Sequence, residues 1–171
     1  FYLWGRNTGT PCWGHFNGTD GGTDPNGYAE KKQSSGKMEV EFTCRMDPPL
    51  AEDFALEENG EIKVHLKIDV QGQWENGNGC NGDCENLNIT LMRGGAEYSS
   101  YEVASLSPGE NDVDVTFPVD ENLTVWDKNT DNPGLKVRMV LYPTQSLFCA
   151  VPGVNCDASF RMYYAGQTEE S

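Results

Sequence analysis

The residues best suited to chemistry in this chain are the oxygen donors of Asp127-Lys-Asn129-Thr-Asp131. Carboxylates and amides at alternate loop positions are how a calcium loop begins, because a hard cation takes six to eight oxygens. Asn132 stands at the sixth position, where an EF-hand needs glycine, and Arg138 at the twelfth, where it needs glutamate. The loop is therefore no EF-hand. Asp127, Asn129 and Asp131 remain the candidate metal ligands, and calcium is the one cofactor the sequence suggests. Asp20, Asp24 and Asn26 form a second, weaker set. The competing reading is structural, since Asp and Asn also build turns by imitating backbone hydrogen bonds.

Other chemistries find less to work with. Zinc is disfavoured, because His15 and His65 are the two histidines and the cysteines have no Cys-x2-Cys spacing. A catalytic triad needs a histidine in a cleft, whereas His65 falls on the polar face of a regular strand. A glycosidase needs a chosen pair of carboxylates, and 27 Asp and Glu make pairs inevitable without selecting one. The chain is expected not to be an enzyme. Trp74 and Trp126 sit near loops and are the ligand candidates, as platforms for the apolar faces of sugars, the competing reading being that tryptophans at a sandwich rim cap the core.

The six cysteines are an even number: Cys12, Cys44, Cys80, Cys84, Cys149 and Cys156. Proximity in sequence suggests Cys149 with Cys156, Cys80 with Cys84, and Cys12 with Cys44, although six cysteines allow fifteen connectivities. Asn17, Asn88 and Asn122 each begin an Asn-x-Thr sequon. Together these features point to an oxidising compartment, extracellular or at the cell surface, and to a glycoprotein. Twelve Lys and Arg against 27 Asp and Glu leave a charge of −15. That field repels phosphate backbones and anionic lipid, so nucleic acid is not an expected partner. No apolar run approaches the ~18 residues of a membrane span, so membrane insertion by this segment is not expected.

The elements that must position these groups are strands. In Glu61-Ile-Lys-Val-His-Leu-Lys-Ile-Asp-Val70 the apolar residues alternate without a break with polar ones. A period of two places one set on each face of a strand, one in a core and one in water. The pattern recurs at Met38–Cys44, Leu87–Leu91, Val113–Val119, Leu135–Leu141 and Phe160–Tyr164, with turn signals such as Asn59-Gly60 and Gly94-Gly95 between. Leu50 to Glu58 is the one stretch suggesting a helical turn. Seven or eight strands in 171 residues predict an all-β, antiparallel, disulfide-stapled sandwich. Residues 1–36 read as an N-terminal strand and loop arm, 37–166 as the sandwich, and 167–171 as an acidic tail.

Leu106-Ser-Pro-Gly-Glu110, followed by Val113-Asp-Val-Thr-Phe117, resembles the turn and strand of immunoglobulin-like domains of the cell-adhesion-related type in bacterial and archaeal surface proteins. The resemblance covers about a dozen residues. It implies an immunoglobulin-like sandwich, with a jelly roll as the alternative, and a surface-displayed module without catalysis.

Phe1, Tyr2, Leu3 and Trp4 make a dense apolar start that needs a groove in its own domain or in a neighbour's. A strand of this kind could join copies of the chain by main-chain pairing. The functional expectation is an adhesive or structural subunit of a filament or surface layer, with copies of itself as partners. The alternative is a calcium-supported carbohydrate-binding module, with glycans as partners.

Overall fold

A computed structural model describes residues 2–5, 12–15, 28–46, 49–77, 80 and 82–163, with the backbone alone for 2–5 and 12–15. In chain order the strands are β1 (Tyr2–Gly5), β2 (Cys12–His15), β3 (Tyr28–Gln33), β4 (Met38–Met46), β5 (Phe54–Ala55) and β6 (Glu61–Gln71). They are followed by β7 (Glu85–Arg93), β8 (Ala96–Glu102), β9 (Gly109–Pro118), β10 (Val125–Trp126), β11 (Pro133–Leu141) and β12 (Ala158–Tyr163). A larger sheet has the order β1-β2-β4-β11-β7-β8, and a smaller one the order β3-β12-β6-β9. Pairing is antiparallel throughout both sheets except where β2 lies parallel to β4. The fold is an all-β sandwich.

The alternating pattern explains the core. On β4 every second residue from Met38 to Met46 is buried while Glu39, Glu41 and Arg45 are exposed. Opposite it in the smaller sheet, Phe160 meets Phe42 with ring centroids 5.9 Å apart. Burying each such side chain is worth about 2 kcal/mol. In β6, Leu66, Ile68 and Val70 are fully buried, whereas Ile62 and Val64 are only partly so. The reason is register: β12 reaches β6 only from Ile68 to Gln71, so the first half of β6 has β9 alone beside it.

The two sheets do not match in width. β3 touches β4 on one side of the sandwich and β8 touches β9 on the other. The four strands of the smaller sheet therefore lie over β4, β11, β7 and β8. The β1–β2 hairpin extends the larger sheet beyond β4, and among the described residues no strand of the smaller sheet pairs with it.

Two sequence expectations need correction. The helical turn expected within Leu50–Glu58 is instead an extended segment whose Phe54–Ala55 pairs with Val125–Trp126. Phe54 stacks on Trp126 at 5.5 Å and 10°, so an aromatic contact made across some 70 residues overrides the local preference. The proposed arm 1–36 contains β3, an edge strand of the smaller sheet, so the sandwich takes in Tyr28–Gln33. Of the two settings open to the apolar start, its own domain supplies one partner: Tyr2–Gly5 pairs with Cys12–His15 of the same chain. The tail 167–171 and Phe1 lie outside the described residues.

Candidate functional site

The Asp127–Asp131 loop connects β10 to β11, and its oxygens are held by protein groups. Asp127 Oδ1 accepts from the backbone N of Asn129 at 2.7 Å, an Asx turn. Asp131 Oδ2 accepts from the backbone N of Asp127 at 2.9 Å and from Arg93 Nη2 at 2.6 Å. The same Arg93 donates to the carbonyls of Val125, at 2.8 Å, and of Asn122. Its guanidinium also stands 5.6 Å from the Trp126 ring. The Arg93 hydrogen bond, with the backbone N of Asp127 second, holds the Asp131 carboxyl well below its ordinary value, at about 2. Gly94, at φ +60°, completes the arrangement: a Cβ there would fall on the Thr130 carbonyl oxygen. The positive charge that neutralises Asp131 is thus a side chain of β7. Among the described residues no three His, Cys, Asp or Glu side chains converge as a metal site would require. Asp20, Asp24 and Asn26 lie outside the described residues.

Trp74 and Trp126, expected as exposed platforms, are each 1% exposed and belong to the core. Trp126 lies between Phe54 and Arg93 and donates from Nε1 to the Leu123 carbonyl at 2.8 Å. Trp74 is covered by its own loop, where the backbone N of Gly77 returns to the Trp74 carbonyl at 3.1 Å. A Cβ at Gly77 would collide with the indole, so glycine is what lets that loop close. Neither ring can present a face to a sugar.

Cysteine expectations fare better. Cys149 pairs with Cys156 and Cys80 with Cys84, at Cα separations of 5.7 and 6.4 Å. Cys44 is disulfide-bonded as well. β2 runs beside β4 with Trp13 opposite Arg45, a register that sets the Cys12 backbone against Cys44; the Cys12 side chain lies outside the described residues. Of the sequons, Asn122 is exposed in the turn that Asp120 caps through the backbone N of Asn122 at 2.9 Å. Asn88 faces outward on β7, half-buried, with Nδ2 donating to the Asn86 carbonyl at 3.2 Å. Asn17 is outside the described residues.

The outer face of the smaller sheet is a lattice of charge pairs. His65 Nδ1 lies 2.9 Å from Asp114 Oδ1, and Arg161 Nε donates to Glu30 Oε1 at 2.8 Å. Where this face meets the Cys149–Cys156 loop there is a groove of about 320 Å³. Arg161 and Lys32 face Glu30, Asp69 and Asp157 within it, with Asn155 on the loop side. Lys32 Nζ is 3.2 Å from Asp157 Oδ2 and Arg161 Nη1 is 3.8 Å from Asp69 Oδ2. This mixed-sign groove suits a small polar or zwitterionic group. Sequence reasoning missed it, because its residues run from position 30 to 161 and converge only through the β3-β12-β6 order.

The fold and these sites define a disulfide-stapled β-sandwich with an edge hairpin. No family model, curated protein or solved structure matches the chain. Among the described residues no helix is long and apolar enough to cross a membrane.

Proposed function

We propose that this chain is an extracellular, non-catalytic structural module that joins copies of itself into a surface assembly. The observation that carries the reading is the β1–β2 hairpin, which widens the larger sheet by two strands beyond the smaller one. A hairpin without a second layer leaves one face and one edge to be covered by something else. Among the described residues no strand pairs with the outer edge of β1. The open edge offers main-chain donors and acceptors to a strand of the next copy. Repetition of such a heterologous contact propagates into fibres or layers instead of closing. Disulfides and the exposed Asn122 sequon support an oxidising, extracellular setting. The carbohydrate-binding alternative lost its platforms when both tryptophans proved buried.

The test is the mass of the purified chain by size-exclusion with light scattering, with electron microscopy of the same sample. The whole chain should assemble, and deletion of Phe1–Trp4 should return monomers with an unchanged β-sheet spectrum. A monomeric whole chain, or assembly that survives the deletion, would overturn the reading.

A further inference from the structure

The loop between β11 and β12 inverts the usual order of a sandwich. From Pro143 to Cys156 it has no charged residue, in a chain that carries −15 overall. Its tip exposes Leu147 at 94%, Phe148 at 75%, Val151 at 50% and Val154 at 45%. Among the described residues the other large exposed apolar side chains, Tyr101 and Val125, stand singly elsewhere. Isolated exposed apolar side chains are ordinary, whereas four within eight residues form a patch that marks an interaction surface. The 3₁₀ turn Leu147–Ala150 that carries the first two buries no residue.

Part of the backbone of the tip is satisfied from within. Ser146 Oγ accepts from the backbone N of Phe148 at 3.2 Å, and the Ser146 carbonyl accepts from the backbone N of Cys149 at 3.0 Å. The backbone N of Val151 donates to the Phe148 carbonyl and that of Val154 to the Val151 carbonyl. At the base, the backbone N of Thr144 donates to the Cys156 carbonyl at 2.9 Å, beside the Cys149–Cys156 bridge. With part of its backbone already paired, such a tip suits the headgroup region, where water and polar groups still serve the remaining amides and carbonyls.

We propose that the Cys149–Cys156 loop is a shallow membrane anchor that seats Leu147 and Phe148 in the interfacial region of a neutral or zwitterionic lipid surface. Charge selects the lipid. The strongly acidic chain is repelled by anionic headgroups, while the tip is neutral and the groove at its base pairs Arg161 and Lys32 with Glu30, Asp69 and Asp157. A surface of mixed sign accommodates zwitterionic headgroups that the rest of the chain would not repel. The contact adds to the hairpin reading without depending on it.

The test uses the whole chain and vesicles in a flotation assay. The wild type partitions onto phosphatidylcholine vesicles and less onto phosphatidylglycerol vesicles at low salt. The double substitution Leu147→Ser with Phe148→Ser lowers partition onto phosphatidylcholine by about tenfold or more, with an unchanged melting temperature. Phe148→Trp shows an emission blue shift when phosphatidylcholine vesicles are added. Absence of partition onto phosphatidylcholine, or equal partition by the double variant, overturns the proposal. A concentration-dependent dimer lost in the double variant, without vesicle binding, also overturns it and assigns the tip to a second copy of the chain.

Discussion

Two loops, one leading into β11 and one leaving it, meet opposite fates. The Asp127–Asp131 loop is polar and acidic in sequence, yet it lies over the core: Trp126 enters it buried and Arg93 fastens it to β7. The loop closed by Cys149 and Cys156 is apolar in sequence, yet its tip buries nothing. Polarity in the sequence assigns the first to solvent, where residues 127–130 do stand although the loop is fastened to β7, and would have assigned the second to the core. The difference teaches that a loop's composition reports its side chains' preferences, while its covering role depends on what long-range partner reaches it. Arg93 reaches the acidic loop; among the described residues nothing reaches the apolar one.

That contrast can be broken most severely at Trp126. Trp126→Ala removes a fully buried indole from between Phe54 and Arg93 and should cost about 3–5 kcal/mol in chemical denaturation. A loss under 1 kcal/mol would mean the acidic loop does not cap the core. Next in size is Arg93→Met, which keeps the stem but removes the hydrogen bonds to Asp131, Val125 and Asn122. The expected loss is about 2 kcal/mol.

The pH profile of the same variant sharpens the point. Because the folded Asp131 carboxyl sits at about 2, below its ordinary 3.8, its contribution is fully present above the unfolded value. It is lost as pH falls through 3.8 toward 2. Urea midpoints of the wild type should therefore decline across that window, and Arg93→Met should decline less steeply.

On the other side of the comparison, replacing Cys149 and Cys156 together by serine releases a short loop and should cost about 2 kcal/mol through unfolded-state entropy. The vesicle partition of that variant should fall as well, since the tip loses its shape. Smallest of all, Leu147→Ser with Phe148→Ser should leave stability within about 0.5 kcal/mol of wild type. A large loss in calorimetry would show that the tip packs against the sandwich after all.

The inner faces of β4, β6, β9 and β11 were legible because period-two alternation survives any partner choice. The Cys80–Cys84 and Cys149–Cys156 pairs were legible because each closes a short loop. Trp74 and Trp126 were not. Both stand among Gly, Asn and Asp residues that read as exposed loops, and their burial depends on Gly77 closing over one ring and Phe54 stacking on the other. The Asp127–Asp131 oxygens were picked out as candidate metal ligands with turn formation as the competing reading, and their partner Arg93, 38 residues before Asp131, carries no local mark. The uncharged run Pro143–Cys156 was visible, and nothing in it says that Leu147 and Phe148 point outward.

By itself the sequence determined the strand class, which residues of each main strand turn inward, the pairing of the near cysteines, and the acidic field around the molecule. These follow from local backbone geometry, short loop closures and summed charge, none of which needs a fold. Tertiary structure alone decided that β1 and β2 extend the larger sheet, that an arginine holds the acidic loop, and that the tryptophans turn in while an apolar tip turns out. Each of those depends on which distant strand lies alongside, and that choice is made by the packing of the two sheets as a whole.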